Sequence, residues 1–261
     1  MGDLASSSER VTLLPLDITS PESISALREE VHVKCGGKLH FIFHNAGYRS
    51  LAMGIEAPYD ESVRMMTTNL AGVIELNRMF ADMVIAAKGV MVFTSSLSGL
   101  MPQPTHAVYC ASKAALDLWA RILRIEMHPL GVRVVVVHTG GVKTTMADMS
   151  LELDEGKSPS FARSGHITCL RLGYLGSRYR YLLPQINEAW SKLESGYMEP
   201  DAFARTVVDK LTRKGIGGWA SDIWAGTGSF LARSVEVLNL NWLYDSVFAR
   251  MFGFNTLKPG V

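Results

Sequence analysis

The sequence lacks the long apolar runs, the charge excess and the cysteine clusters that mark several classes of protein. No stretch of the 261 residues reaches the about 18 uncharged apolar positions that a membrane span needs. The formal net charge is +1, which predicts no attraction toward nucleic acid. The 3 cysteines are far apart without a CxxC pair, so we expect a reducing, cytoplasmic compartment and no disulfide framework or metal site. The N-terminus, MGDLASSSER, predicts no signal peptide.

What the sequence does contain is an alternation of strand-length apolar runs with helical patterns, in a chain that is 48% hydrophobic. Strands are predicted at residues 11–17, 38–47, 89–96, 131–141 and 217–226. Helices are predicted at residues 20–31, 60–88, 105–129, 199–211 and 229–252, the first with Ser20 as N-cap and Pro21 at its first position. This order favours an α/β fold, in which a parallel sheet carries helices on both faces and ligands bind beyond the carboxyl ends of the strands.

The stretch HAVYCASKAALDLW, residues 106–119, places Tyr109 one helical turn before Lys113. Side chains at this spacing share one face of a helix. A free phenol has a pKa of about 10 and is a poor acid at neutral pH. A nearby ammonium lowers that pKa, so the pair is predicted to be a tuned proton donor. Taken alone, Tyr109 and Lys113 could equally be surface residues of an ordinary helix.

The surroundings of this pair favour the chemical interpretation. The following polar or glycine-rich motifs end predicted strands or lie in a predicted helix: HNAG at 44–47, Asn69 in TTNLAG, Ser96, and GGVKT at 140–144. With Tyr-x-x-x-Lys, and in this order, they resemble the short-chain dehydrogenase/reductase family over roughly residues 10–147. The TGGVKT turn and the tryptophan-rich C-terminal tail are most similar to the fungal 1-acyldihydroxyacetone-phosphate reductases and the related hydroxysteroid dehydrogenases.

The resemblance implies a catalytic role for four residues. Tyr109 would protonate a carbonyl oxygen during reduction, and Ser96 would hydrogen-bond the same oxygen and position it. Lys113 would lower the pKa of Tyr109 and hold the nicotinamide ribose. Asn69 would hold a water that links Lys113 to solvent. In the family a Pro-Gly pair usually stands where this chain has Gly140 and Gly141, so we expect a looser turn here.

The resemblance also implies NADP, as NADPH, for the cofactor, with NAD still open. The residues implied to bind it are Asp17, Asn45, Ala46, Gly47, Arg78, Tyr109, Lys113, Val142 and Thr144. Asp17 could equally be an ordinary strand-end aspartate, and Arg78 could equally be a solvated helix residue.

One departure from the family concerns the start of the fold. The family begins with a strand and a glycine-rich TGxxxGxG turn at a helix N-terminus, which approaches the cofactor pyrophosphate. Residues 1–16 cannot supply this segment, which spans roughly 45 residues. GTGSF, at 226–230, matches the motif only in part and is expected to be a turn. We expect either that residues 11–17 pair beside FIFHN, or that the natural product starts further upstream.

The resulting prediction is a Rossmann-like sheet that lacks its first βαβα segment. Residues 1–147 would form an incomplete dinucleotide-binding core, and residues 148–261 a substrate-side excursion and C-terminal lid of the same domain. The expected activity is NADPH-dependent reduction of a ketone on an apolar or lipid-like substrate, in lipid or secondary metabolism. The alternatives are a catalytically silent interaction domain and a truncated form of an active reductase.

The expected partners follow from the same reasoning. A small ketone or alcohol is the expected substrate, and no nucleic acid is expected. Residues 229–254 could contact a lipid surface, such as endoplasmic reticulum or a lipid droplet, or could pack on the core as a lid over an apolar pocket. A homo-oligomer built on the two long helices is expected by analogy with the family.

Overall fold

A computed structural model describes residues 10–144, 152–153, 171–172, 177–212, 222–240 and 242–256. Its central sheet has four parallel strands in the order β1-β2-β3-β6. These strands are β1 Phe41–His44, β2 Val90–Ser96, β3 Arg133–Thr139 and β6 Ile223–Ala225. A separate two-residue pair is formed by β4 Glu152–Leu153 and β5 Arg171–Leu172. The predicted parallel sheet is therefore confirmed.

Helices connect and cover the strands. They are α1 Pro21–Cys35, α2 Tyr59–Met66, α3 Gly72–Ala87, α4 Ala107–Met127, α5 Leu183–Ser195, α6 Pro200–Thr212, α7 Ser229–Val237 and α8 Trp242–Met251. Helix α1 starts as predicted, because the Ser20 side chain accepts a hydrogen bond from the Ser23 amide and Pro21 takes the first position. The predicted helix 60–88 is interrupted by a π-helical turn at Thr67–Ala71. The predicted helix 229–252 is divided where Asn239 adopts a left-handed conformation with φ 54°.

The sheet is covered on both faces, which confirms the α/β class. Successive residues of β2 and β3 point to opposite faces, and each face has its own apolar cluster. Phe93 and Val136 pack with α3 and α4 on one face, whereas Val92 and Val135 pack with α6 on the other. A further cluster joins α5, α7 and α8 to Leu51, in the segment that follows β1.

The predicted strand at residues 11–17 is wrong. The described residues of this segment form no strand and do not pair with β1. Val11, Leu13 and Leu16 are each at least 40% exposed. A strand needs a neighbour to take up its backbone hydrogen bonds, and this segment has none. Consequently β1 is an edge strand, as predicted, and Phe43 is 47% exposed.

Candidate active site

The predicted catalytic residues meet at the carboxyl end of the sheet. Ser96 ends β2, and Tyr109 and Lys113 project from α4, which packs against β2 and β3. The Lys113 ammonium donates a 2.8 Å hydrogen bond to the Thr94 carbonyl of β2, and only 6% of the residue is exposed. The turn after β2 lies against the α4 backbone, because a Cβ on Gly99 would be 3.0 Å from the Lys113 carbonyl carbon. The four-residue step from Tyr109 and this close contact between α4 and the turn after β2 together fix the position of Lys113 in the site.

Ser96 is held in a hydrogen-bonded chain of side chains. Its Oγ accepts a 3.1 Å hydrogen bond from the Ser98 amide and lies 3.0 Å from the Ser98 hydroxyl. Ser98 Oγ donates in turn to Gln103 Oε1 at 2.7 Å. Ser96 also acts on Tyr109, because its hydroxyl opposes the rise in the pKa of that phenol. The serine is therefore fixed in orientation before any substrate arrives.

The electrostatics of Tyr109 differ from the prediction. Burial raises the pKa of Tyr109, while the Ser96 hydrogen bond and the positive charge of Arg49 oppose that rise. Lys113 Nζ lies 5.9 Å from the centre of the Tyr109 ring and makes its hydrogen bond to Thr94. The expectation that Lys113 lowers the pKa of this phenol below its ordinary value was wrong. Burial outweighs the nearby cations, and the phenol keeps its proton at neutral pH.

Arg49 is a site residue that the sequence reasoning missed. Its guanidinium, 10% exposed, forms a 3.1 Å ion pair with Glu194 of α5 and lies 3.2 Å from His106 Nε2. A guanidinium only donates, so His106 Nε2 accepts and its Nδ1 carries the proton. Burial lowers the pKa of His106 to about 3, so this imidazole is neutral. No local signal marks Arg49, since its carboxylate partner lies 145 residues away in sequence.

The backbone at the start of α4 is also tied to α5. Thr105, the residue before His106, is buried and has a φ of 70°, a conformation that a β-branched residue rarely adopts. Trp190 of α5 donates a 3.1 Å hydrogen bond from Nε1 to Thr105 Oγ1, and the ring packs 4.4 Å from His106. These contacts hold the first turn of the helix that carries Tyr109.

Asn69 occupies the π-helical turn and is fully buried, at 0% exposure. Its Oδ1 accepts from the Tyr48 amide at 3.0 Å, and its Nδ2 donates to the Tyr48 carbonyl at 2.9 Å and to Ser112 Oγ at 3.0 Å. The side chain thus joins the segment after β1 to α4. The role predicted for Asn69, holding a water beside Lys113, stays a prediction.

The segment after β1 approaches the lysine closely. A Cβ on Gly47 would lie 3.1 Å from Asn69 Oδ1 and 3.6 Å from Lys113 Nζ, so glycine permits this approach. Asn45 is exposed, and its Oδ1 accepts a 3.1 Å hydrogen bond from Thr94 Oγ1. Ala46, between them, is exposed as well. His44, which ends β1, is a packing residue, since its ring stacks on Phe93 at 4.7 Å and burial lowers its pKa to about 4.

The turn after β3 is tight, which corrects the expectation that Gly140 and Gly141 loosen it. A Cβ on Gly140 would lie 2.2 Å from the Thr227 carbonyl oxygen, and one on Gly141 would lie 2.2 Å from the Tyr197 ring. The GTGSF segment lies between β6 and α7, where Thr227 exchanges backbone hydrogen bonds with Gly141 at 2.9 and 3.1 Å. It is therefore a packing turn, as predicted. Val142, the residue after Gly141, forms a parallel β-bridge with Met198.

Some of the predicted cofactor residues are not in contact with the group formed by Ser96, Tyr109 and Lys113. Asp17 is exposed, and its Oδ1 accepts hydrogen bonds from the Thr19 amide at 2.9 Å and the Thr19 hydroxyl at 2.6 Å. Arg78 is 66% exposed at its side chain and pairs with Glu75 one turn earlier at 2.6 Å. Thr144 is exposed at the end of the described turn. For Arg78 the geometry fits a solvated helix residue, and for Asp17 it fits a local turn.

Comparison with known proteins now decides the family. Residues 2–154 match the family model described as short chain dehydrogenase. The chain belongs to the short-chain dehydrogenase family. It is an oxidoreductase by that membership, and the arrangement of Ser96, Tyr109 and Lys113 lies within the matched residues.

Individual relatives extend this finding. The chain is 29% identical to the short-chain dehydrogenase fogD of Aspergillus ruber over 95% of its own length and 79% of the relative. It is 38% identical to the NADPH-dependent 1-acyldihydroxyacetone phosphate reductase of Schizosaccharomyces pombe, over 53% of this chain and 47% of the relative. Among solved structures, NADPH-bound carbonyl reductase from chicken fatty liver is 26% identical with a TM-score of 0.53, covering 56% of this chain and 64% of the other.

The family implies a nicotinamide dinucleotide, and the residues fit one half of it. The Lys113 ammonium donates one hydrogen bond, to the Thr94 carbonyl, and has further hydrogens to donate, while a Cβ on Gly47 would lie 3.6 Å from its Nζ. This donor set suits the ribose and nicotinamide half. For the pyrophosphate, the sequence contains no TGxxxGxG motif, and the GTGSF turn between β6 and α7 pairs with Gly141 through Thr227.

Two kinds of feature do not occur among the described residues. None of the helices in that part of the chain is both long and apolar enough to cross a membrane. No cluster of three or more histidine, cysteine or acidic side chains that could bind a metal ion occurs there.

Proposed function

We propose that this short-chain dehydrogenase uses NADPH to reduce a ketone on an apolar or lipid-like substrate. The observation that carries the proposal is the buried, protonated Tyr109 of α4, with the Lys113 ammonium one helical turn away and hydrogen-bonded to β2, the strand that Ser96 ends. Bound NADPH would supply the hydride, Lys113 would hold its nicotinamide ribose, and Asn45, Ala46 and Gly47 would line its adenosine-side ribose.

The chain's own residues account for the proton and for the developing charge. A carbonyl oxygen beside Ser96 and Tyr109 would accept hydrogen bonds from both hydroxyls, which fixes its position. As negative charge develops on that oxygen, Tyr109 would transfer its proton to it. The phenolate left behind would be stabilised by Ser96 and by the positive charge of Arg49, the two groups that oppose the rise in the pKa of Tyr109. A raised pKa suits this direction, because the hydroxyl is protonated before reaction.

The substrate class rests on the apolar character of the substrate-side elements and on a relative. Helices α5, α7 and α8 form an apolar cluster around Trp190, Phe248 and Phe252, in contact with Leu51 and Met53 after β1. The Schizosaccharomyces pombe relative is named for reduction of an acylated ketone phosphate. We propose that the substrate of this chain is likewise an apolar, acyl-bearing ketone.

We also propose that the C-terminal helices contact a lipid surface. Their other side exposes Phe230 at 83%, Leu231 at 67% and Trp242 at 62%. Flotation of the full chain with phosphatidylcholine vesicles tests this, and Phe230→Ser should reduce the bound fraction while Tyr59→Ser, at an equally exposed aromatic residue, should not. A homo-oligomer through α4, which exposes Leu118 and Ile125, stays a prediction.

A catalytically silent interaction domain is the competing proposal. It is favoured by one observation, the lack of a described glycine-rich turn for the pyrophosphate. Such a domain would keep the buried Ser96, Tyr109 and Lys113 arrangement without turnover.

NADPH fluorescence separates the two proposals. The reductase proposal expects a saturable blue shift of NADPH emission on mixing with the full chain, followed by ketone-dependent loss of NADPH absorbance. A panel of acyl ketones of increasing chain length should show a rate that rises with apolar length. Saturable NADPH binding without any ketone-dependent oxidation, or no binding at all, would favour the silent domain.

A further inference from the structure

A second buried cluster of ionisable groups lies one turn below the catalytic lysine. Asp117 follows Lys113 by one turn on α4 and is 5% exposed. His138 of β3, 4% exposed, lies between two carboxylates, with Nδ1 3.4 Å from Asp117 Oδ2 and Nε2 3.4 Å from Asp222 Oδ2. Arg124 of α4 pairs with Asp222 and donates from Nε to the Val134 carbonyl at 3.0 Å. The mechanism proposed above uses none of these four groups.

Burying a carboxylate between a helix and a sheet is costly unless a charge or hydrogen bond compensates it. Burial raises the pKa of Asp117, and the neighbouring His138, Ser95 of β2 and Lys113 oppose that rise. The negative charge of Asp222, on the far side of His138, raises the pKa of Asp117 further. These groups, from α4, β2, β3 and the residue before β6, are the ones that face the Asp117 carboxyl.

The same carboxylate acts on the lysine. Burial lowers the pKa of Lys113 to about 8, and the negative charge of Asp117 opposes this lowering. Tyr109, the Thr94 carbonyl and Asn69 also face the lysine from α4, β2 and the π-helical turn, and each of them is uncharged at neutral pH. A buried ammonium with a pKa this close to neutrality depends on its counter-charge to stay protonated.

We propose that Asp117, which lies one turn after Lys113 on α4 and 3.4 Å from His138, is a positioning residue that keeps the Lys113 ammonium charged in the buried site. Through Lys113 it sets the upper pH limit for cofactor binding and for reduction. This rests on the proposed function only for the reduction step, because the charge state of Lys113 can be measured without turnover.

The direct test is the titration of Lys113 by NMR of the full chain labelled with 15N-lysine, with the signal assigned by its loss in Lys113→Met. Asp117→Asn removes the carboxylate charge with little change of shape. We expect the pKa of Lys113 to fall by about 1 unit in this variant. Asp117→Glu keeps the charge and should restore most of the wild-type value. The matched control is Glu126→Gln, which removes an exposed carboxylate from the same helix and should leave the titration unchanged.

A Lys113 pKa that is the same in wild type and folded Asp117→Asn would overturn the proposal. If Asp117→Asn does not fold, His138→Gln gives a second route. Without the imidazole the Asp117 carboxyl loses a favourable partner and takes up a proton more readily, so the pKa of Lys113 must again fall. An unchanged value in His138→Gln would then overturn the proposal in the same way.

The pH profile gives a second measurement that a merely structural role would not move. Because the pKa of Lys113 falls in Asp117→Asn, NADPH affinity and reduction should be lost at lower pH than in wild type, about 1 unit earlier, with rates that converge below that range. A chain that fails to reduce any ketone refutes the proposed function, whereas the NMR titration still decides the role of Asp117.

Discussion

The two ends of the parallel sheet are built in opposite ways. At one end, β3 lies between β2 and β6, its Val134, Val135 and Val136 are at most 1% exposed, and the glycine turn after it closes against Thr227. At the other end, Phe41 of the edge strand β1 is 55% exposed, whereas Ile223 and Ala225 of the opposite edge strand β6 are 5% and 3% exposed. The residues at 11–17, which carry a strand-like apolar pattern, do not fill that edge.

This difference separates the reacting groups from the rest of the cofactor site. Ser96, Tyr109 and Lys113 belong to β2 and α4, which are held by the closed end through β3 and the turn at Gly140. From the open edge, the segment after β1 reaches them with Gly47 and with the guanidinium of Arg49. The chemical half of the site is therefore built mainly by buried contacts of β2, β3 and α4, and the open end adds the segment after β1. Substitutions at the two ends should accordingly differ in size and in kind.

The largest effect should come from Tyr109→Phe, which removes the proton donor and keeps the ring. We expect ketone-dependent NADPH oxidation to fall by about 10²- to 10⁴-fold, a range typical for loss of a general acid. NADPH binding measured by fluorescence should be retained, and Tyr59→Phe, on an exposed tyrosine, should behave as wild type. Wild-type turnover in Tyr109→Phe would refute the assigned acid.

Ser96→Ala should have the next largest effect. Loss of a donor at the reacting oxygen reduces kcat by about 100-fold in comparable sites. Because the Ser96 hydrogen bond opposes the rise in the pKa of Tyr109, that pKa should increase further in the variant. Titration of 13C-tyrosine by NMR measures the change, and a pKa that falls or does not move would contradict the assigned contact.

Arg49→Gln tests the cation that the sequence did not reveal. Without its charge the pKa of Tyr109 should rise, and Glu194, 23% exposed, loses its partner. The free energy of unfolding should drop by about 1 to 3 kcal/mol, less than for a fully buried pair because water reaches Glu194. Urea unfolding and tyrosine titration are the measurements. Arg78→Gln, at an exposed helix pair, is the control and should change neither.

Gly141→Ala tests the closed end without touching a reacting group. The added Cβ would meet the Tyr197 ring at 2.2 Å, so the turn or the ring has to move. We expect the free energy of unfolding to drop by about 1 to 3 kcal/mol, as for other overpacked sites. Gly196→Ala is the control, since its Cβ would have its nearest neighbour at 3.8 Å. Equal stability of both variants would show that the closed end is less rigid than described.

The smallest effect on stability should come from the open end. Phe43→Thr, at a position 47% exposed, should change the free energy of unfolding by less than about 0.5 kcal/mol. The same variant should reduce self-association measured by sedimentation, because an apolar strand edge invites pairing with other chains. Val135→Thr, in buried β3, should instead cost about 1 to 3 kcal/mol. Comparable losses for the two variants would remove the distinction between the ends.

The order of elements and the catalytic helix could be predicted from sequence because they depend on short-range spacing. Alternating apolar runs marked β1, β2, β3 and β6, Ser20 and Pro21 marked the start of α1, and a four-residue step put Tyr109 and Lys113 on one face. The strand at 11–17 could not be judged in the same way, because an apolar run becomes a strand only where a neighbour takes its hydrogen bonds.

The sequence by itself therefore determined the elements that carry Ser96, Tyr109 and Lys113. Only the tertiary structure decided their charge states. Arg49 meets Glu194 across 145 residues, and Asp117 meets His138 and Asp222 across the interface of α4 with the sheet. The pKa of a group depends on burial and on charges a few ångströms away, and both are properties of packing between segments that are distant in sequence.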